Sequence, residues 1–110
     1  MADKLNLQDL NKVSGGAGKY RDYYNAVYLI HNTFAMCCAN VEQSMLSPTI
    51  NYFVDGMNSI SAGNLKTAVE KLKNASKKMS SIKSSYRELS ETLSKCISDL
   101  DAIIKELENL

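Results

Sequence analysis

The chain has 110 residues, 45% hydrophobic and 23% charged, with one proline, no tryptophan and a formal net charge of +1. That length suits one domain around a single core, and the composition excludes the disordered and collagen-like classes. Charge this close to balance gives no global attraction to a phosphate backbone, so nucleic acid is not an expected partner.

The first element is Asp3 to Val13, a short helix-forming segment with Asp3 in N-cap position. At about 100° per residue, Leu5, Leu10 and Val13 share one arc with Leu7 at its edge, so one face is apolar. Asp3, Gln8 and Asp9 interrupt the leucines, which rules out the apolar block of a secretory signal peptide. Ser14-Gly15-Gly16-Ala17-Gly18 then stops the helix, because residues without a side chain keep high backbone entropy and have nothing to pack.

Residues 19–46 read as the next helix. Tyr20, Tyr23, Val27, Ile30, Phe34, Cys37 and Val41 recur three and four apart, and Tyr24, Tyr28, Ala35, Cys38 and Met45 widen the stripe. Ser47-Pro48 reads as the N-cap and first turn of a helix over 48–61, with Ile50, Phe53, Val54, Met57 and Ile60 inward, so this arm is expected to kink near Pro48. Ala62-Gly63-Asn64 combines a glycine C-cap with an N-cap asparagine.

Over residues 65–110 there is no Gly or Pro, and the apolar positions never slip. One set is Leu65, Leu72, Met79, Tyr86, Leu93, Leu100 and Leu107; the other is Ala68, Ala75, Ile82, Leu89, Cys96, Ile103 and Leu110. This is a coiled-coil seam, predicting one helix of roughly 69 Å. The expected fold is therefore all-α: a long antiparallel helical hairpin turning at Ala62-Gly63, with helices at about 19–46, 48–61 and 65–110. The long helix is basic in its first half, with Lys66, Lys71, Lys73, Lys77, Lys78 and Lys83, and acidic in its second, with Glu88, Glu91, Asp99, Asp101, Glu106 and Glu108. Two hairpins pairing into a homodimeric four-helix bundle would set basic against acidic and cover the wide first stripe. The competing arrangement is a single chain whose long helix breaks around Ser80-Ser81 or Ser84-Ser85 and folds back, with the charges on solvated faces.

Catalytic signatures are missing: there is no GxSxG, P-loop, HExxH or dinucleotide glycine fingerprint, and the expectation is no enzyme and no cofactor. His31 stands six residues before Cys37 and seven before Cys38. Two helical turns are roughly 9 Å of rise, beyond a hydrogen bond. The three cysteines, Cys37, Cys38 and Cys96, lack CxxC spacing, and one histidine does not complete a zinc site. A hairpin turning near residue 62 puts Cys96 opposite Leu29, about two turns from Cys37, so no intramolecular disulfide is expected. His31, Asn32, Thr33 and Asn40 interrupt the most apolar stretch, which therefore does not span a bilayer; the helix around Ala26 to Val41 is the one candidate for membrane contact. The Tyr20, Tyr24, Tyr28 ladder reads as packing.

Counting back from Gly16, glycine fills the last two positions, Val13 is fourth from the end, Leu10 seventh, Asp9 eighth and Leu5 twelfth. This register resembles the double-glycine leader of bacteriocins and related peptides exported by peptidase-containing ABC transporters. The resemblance covers residues 1–16 and departs from the common pattern only in carrying Asp9 where glutamate is more frequent; the charge is kept. It implies that Leu5, Asp9, Leu10 and Val13 dock on a papain-like cysteine peptidase domain of the transporter. Cleavage would follow Gly16, in the sequence Gly15-Gly16-Ala17, turning a cytoplasmic precursor into a secreted product, residues 17–110. The physics agrees: a narrow proteolytic cleft admits backbone without Cβ atoms, and an apolar helix face supplies helix-in-groove affinity. Two alternatives stand beside it. One is a type VII secretion helical hairpin of the WXG kind, with Ser61-Ala62-Gly63 in place of the Trp-x-Gly turn. The other is an intracellular coiled-coil interaction protein.

Overall fold

The structure is a computed structural model and describes residues 20–110; the segment Asp3 to Val13 and the glycine run lie outside the described residues. The described residues form an all-α fold of four helices: α1 (Arg21–Cys37), α2 (Gln43–Ser61), α3 (Leu65–Ser85) and α4 (Ser90–Glu108), with a single 3-10 turn at Arg87–Leu89 before α4. Each helix packs on its neighbour in sequence, and α4 returns to pack on α1, closing an up-down-up-down bundle of 40 × 27 × 22 Å. The core runs through all four helices, from Val27, Ile30 and Phe34 through Phe53, Met57 and Ile60, then Leu72, Met79 and Ile82, to Leu93, Leu100 and Leu107.

The single long hairpin expected from the sequence is corrected at two places. The helix read over 65–110 breaks at Tyr86, whose backbone (φ −122°, ψ 78°) leaves the helical region. A straight helix of that length would need roughly 69 Å; the molecule is 40 Å long. The serines at 80, 81, 84 and 85 weaken helix propensity just before the break. Tyr86 stabilises the bend: it packs against the core, its N–H donates to the Ile82 carbonyl at 2.8 Å, and its hydroxyl accepts the Glu42 N–H at 3.2 Å. The apolar positions on either side of the bend, Ile82 and Leu93, both remain buried, so the sequence period runs through a bend it does not register.

The second correction moves the interruption of the first arm from Pro48 to Cys38–Glu42. The α1 end is closed by Cys38 N–H on the Phe34 carbonyl and Val41 N–H on the Cys38 carbonyl, both 3.0 Å. Val41 stays buried at this turn. Pro48 instead lies inside α2, six residues from its start. The turn after α2 matches its sequence signature in part. Gly63 takes φ 81°, and Gly63 and Asn64 donate to the Ile60 and Ser59 carbonyls at 2.9 and 2.8 Å, while the Asn64 side chain makes no capping bond.

Folding back gives the charge asymmetry a partner within the chain. Lys73 of basic α3 meets Glu108 of acidic α4 at 2.7 Å, and Ser76 donates to Asp101 at 2.8 Å. Both apolar stripes of the first arm are largely used as well: Tyr20, Tyr23 and Tyr24 pack on the core, leaving Tyr28, Leu29 and Met36 as the exposed large apolar residues of α1. Four helices from one chain meet the packing need that motivated pairing two hairpins.

Candidate functional site

The residues read as leader recognition, Leu5, Asp9, Leu10 and Val13, and as the cleavage point, Gly15, Gly16 and Ala17, lie outside the described residues. α1 begins at Arg21, five residues beyond Gly16, with Tyr20 accepting the first N–H groups: Tyr23 and Tyr24 both donate to its carbonyl at 3.1 Å.

Within the bundle the chemically distinctive group is a set of three thiols. Cys37 is the last residue of α1 and Cys38 follows it, with the two Sγ atoms 3.4 Å apart. Cys96 lies on α4, which packs on α1. It is within electrostatic reach of Cys37, and Cys38 is within reach of Cys96. All three are free, Cys38 and Cys96 buried and Cys37 half-buried. Burial is the main cause that pushes the Cys38 thiol up to about 12, with the hydrogen bond to Cys37 adding to it. Burial likewise pushes Cys96 up to about 11, ahead of the charge of Cys37. Both buried thiols are thus protonated and poorly nucleophilic near neutral pH.

The sequence expectation put Cys96 about two turns from Cys37. That distance assumed one unbroken helix after residue 65. With the bend at Tyr86, α4 packs on α1, and the Tyr23 hydroxyl near the start of α1 lies beside the Glu106 carboxylate near the end of α4. Tyr23, Ile30 and Cys37 recur at intervals of seven along α1, so the stripe that carries Tyr23 to α4 carries Cys37 to it also. The Tyr23 hydroxyl has its pKa raised by burial first, then by the Glu106 carboxylate.

His31 takes no part in the thiol group. It is half-buried, stacked on Tyr28 at 6.4 Å, edge-on to Phe53 at 5.6 Å, and 3.3 Å from Asn32 Oδ1 through Nδ1. Among the described residues no group of His, Cys, Asp or Glu side chains has metal-binding geometry, and no helix is long and apolar enough to cross a membrane. The chain matches no protein-family profile, no curated protein and no solved structure.

Proposed function

We infer that this protein is a bacteriocin-like precursor, cleaved after Gly16 and exported by a peptidase-containing ABC transporter, with residues 17–110 as its helical cargo. The observation that carries the reading is the register of Leu5, Asp9, Leu10 and Val13 against Gly15-Gly16, six positions in step over one short segment. An apolar helix face supplies binding and the glycines supply an extended backbone for the cleft, so recognition and scission fall to separate residues. The product would carry the same net charge as the precursor, since Lys4 and Lys12 offset Asp3 and Asp9.

The test is cleavage of the full chain by a papain-like peptidase domain of such a transporter, read by intact mass. The expected product begins at Ala17. Gly16→Val should abolish it, and Leu10→Ala should slow it about tenfold, the effect of losing about 1.4 kcal/mol of docking energy. Unchanged cleavage of Gly16→Val overturns the assignment. In the producing cell, an intact secreted chain would favour the type VII reading, and a chain retained inside would favour the interaction protein. The fold bears on the first of these: the WXG resemblance implies two long helices, and the described residues form four shorter ones.

A further inference from the structure

The outer side of α1 lacks what a solvated helix face normally carries. From Tyr23 to Val41 the chain has no Lys, Arg, Asp or Glu, whereas α3 and α4 are charged along their lengths. A helix with no charged face is expected to be covered on all sides, yet α1 packs on α2 and α4 alone among the described helices. Its outward stripe, Asn25, Tyr28, Leu29, Asn32 and Met36 at helical spacing, stays at the surface, with Tyr28, Leu29 and Met36 46%, 52% and 80% exposed. The exposed Val54 of α2 adjoins it: Tyr28 stacks on His31, and His31 meets Phe53, the residue before Val54. We propose that this face docks a second copy of the chain, α1 against α1, antiparallel about a two-fold axis at Asn32.

Symmetry, charge and size select that occupant. Tyr28 and Met36 each stand four residues from Asn32, so reversal superposes the stripe on itself and sets Tyr28 of one copy against Met36 of the other, a ring–thioether contact. The same pairing brings Arg21, the first residue of α1, to Glu42, just past the turn after it, twice over; both are exposed. Opposite charges then meet at the two rims, with none between them. Asp22, the other charge near the start of α1, has its Oδ1 buried. A 40 × 22 Å side of the bundle covers about 900 Å², and a stable dimer buries about 800 Å² on each partner. An anionic lipid surface would instead be drawn to the lysines of α3, which stands diagonal to α1 in the ring of helix contacts. This dimer joins two closed bundles and exchanges no core residue, unlike a pairing of open hairpins.

The experiment is sedimentation equilibrium of the full chain in reducing buffer over a concentration series. The expected species has twice the 12.2 kDa chain mass and returns to monomer on dilution. Met36→Glu, at an exposed position, should leave the circular-dichroism melt unchanged and weaken association at least tenfold. Arg21→Glu and Glu42→Arg should each weaken it alone, and an equimolar mixture of the two should recover it, because every rim contact in the mixed dimer pairs opposite charges. A monomer throughout a series reaching about 1 mM overturns the proposal, as does a dimer indifferent to Met36→Glu or a mixture that recovers nothing. Two outcomes would reassign the face: a monomer that binds phosphatidylglycerol vesicles and loses them with Met36→Glu, or a monomer whose Met36 resists peroxide oxidation, which would put residues 1–19 over it. The wild-type mass decides the matter even if a variant fails to fold, and failure of leader cleavage would leave it untouched.

Discussion

Gly56 of α2 lies against α3, with Leu72 and the Ala68 carbonyl facing it. A Cβ built on it would stand 2.6 Å from Leu72 Cδ2 and 2.9 Å from Leu72 Cγ. Leu72 is fully buried in the core, so its side chain has little room to retreat. Alanine would gain about 1 kcal/mol of helix propensity at this position, while overpacking costs about 1–3 kcal/mol. Gly56→Ala should therefore lower stability by about 1 kcal/mol, or about 5 °C in the thermal midpoint, measurable by circular dichroism. A gain in stability would mean that the two helices can part without cost. Sequence reading marked Gly63 as a turn because glycine after a periodic run is a stop signal, but Gly56 sits within a period and its role depends on what faces it. The thiol group was hidden for a related reason: Cys37, Cys38 and Cys96 each read as small apolar residues, and only the backbone path brings them together.

At the level of helices, the all-α class, the turn at Gly63 and most inward positions were legible in the sequence, since three-four spacing and a glycine stop are local signals; Tyr28, Val54 and Leu110, read as part of the inward stripes, are exposed. The bend at Tyr86 was legible only as the competing arrangement, a break around Ser84-Ser85 with the chain folding back, and the bend at Cys38–Glu42 was not. Cys38–Glu42 contains neither Gly nor Pro, and Val41 remains buried there; Tyr86 lies among residues that keep their helical phase. Conversely, Pro48 is the strongest breaker in the sequence, yet α2 continues through it. Its missing N–H leaves the Ser44 carbonyl without the usual helical donor, while the fully buried Thr49 turns its hydroxyl onto the Met45 carbonyl at 2.9 Å. Packing of Leu46, Thr49 and Phe53 holds the segment helical despite this. Pro48→Ala should restore the missing bond and raise stability by about 1–3 kcal/mol, seen as a higher urea midpoint with an unchanged m-value. A loss of stability would show instead that proline mainly restrains the unfolded chain at this position.

For the molecule as a whole, stability follows from burying one core with nearly neutral surroundings, and its pH dependence has a definite sign. The buried Cys38 and Cys96 thiols titrate near 12 and 11 when folded and near the ordinary thiol value of about 8.5 when unfolded. Above that ordinary value the unfolded chain has released protons that the folded chain still holds, so stability falls as pH rises. The contribution is complete below about pH 8 and is lost progressively towards pH 12. Urea midpoints measured from pH 7 to 10.5 should decline, and less steeply in Cys38→Ala and Cys96→Ala; identical slopes in all three proteins would show that these thiols are not linked to folding. The basic and acidic halves of residues 65–110 also make sense only at this scale. They were legible as a segregation of charge but not as the two faces of a single fold, because pairing them required the bend at Tyr86.

The return of α4 onto α1 places Tyr23 beside Glu106, so the two ends of the bundle's chain share one pole. Tension drawing these ends apart acts across the helix axes, not along them. The α1–α4 interface then opens like a zipper, one helical turn at a time, and the load never falls on the whole interface at once. A machine that hauls on the N-terminal end meets the bundle in its mechanically weakest direction.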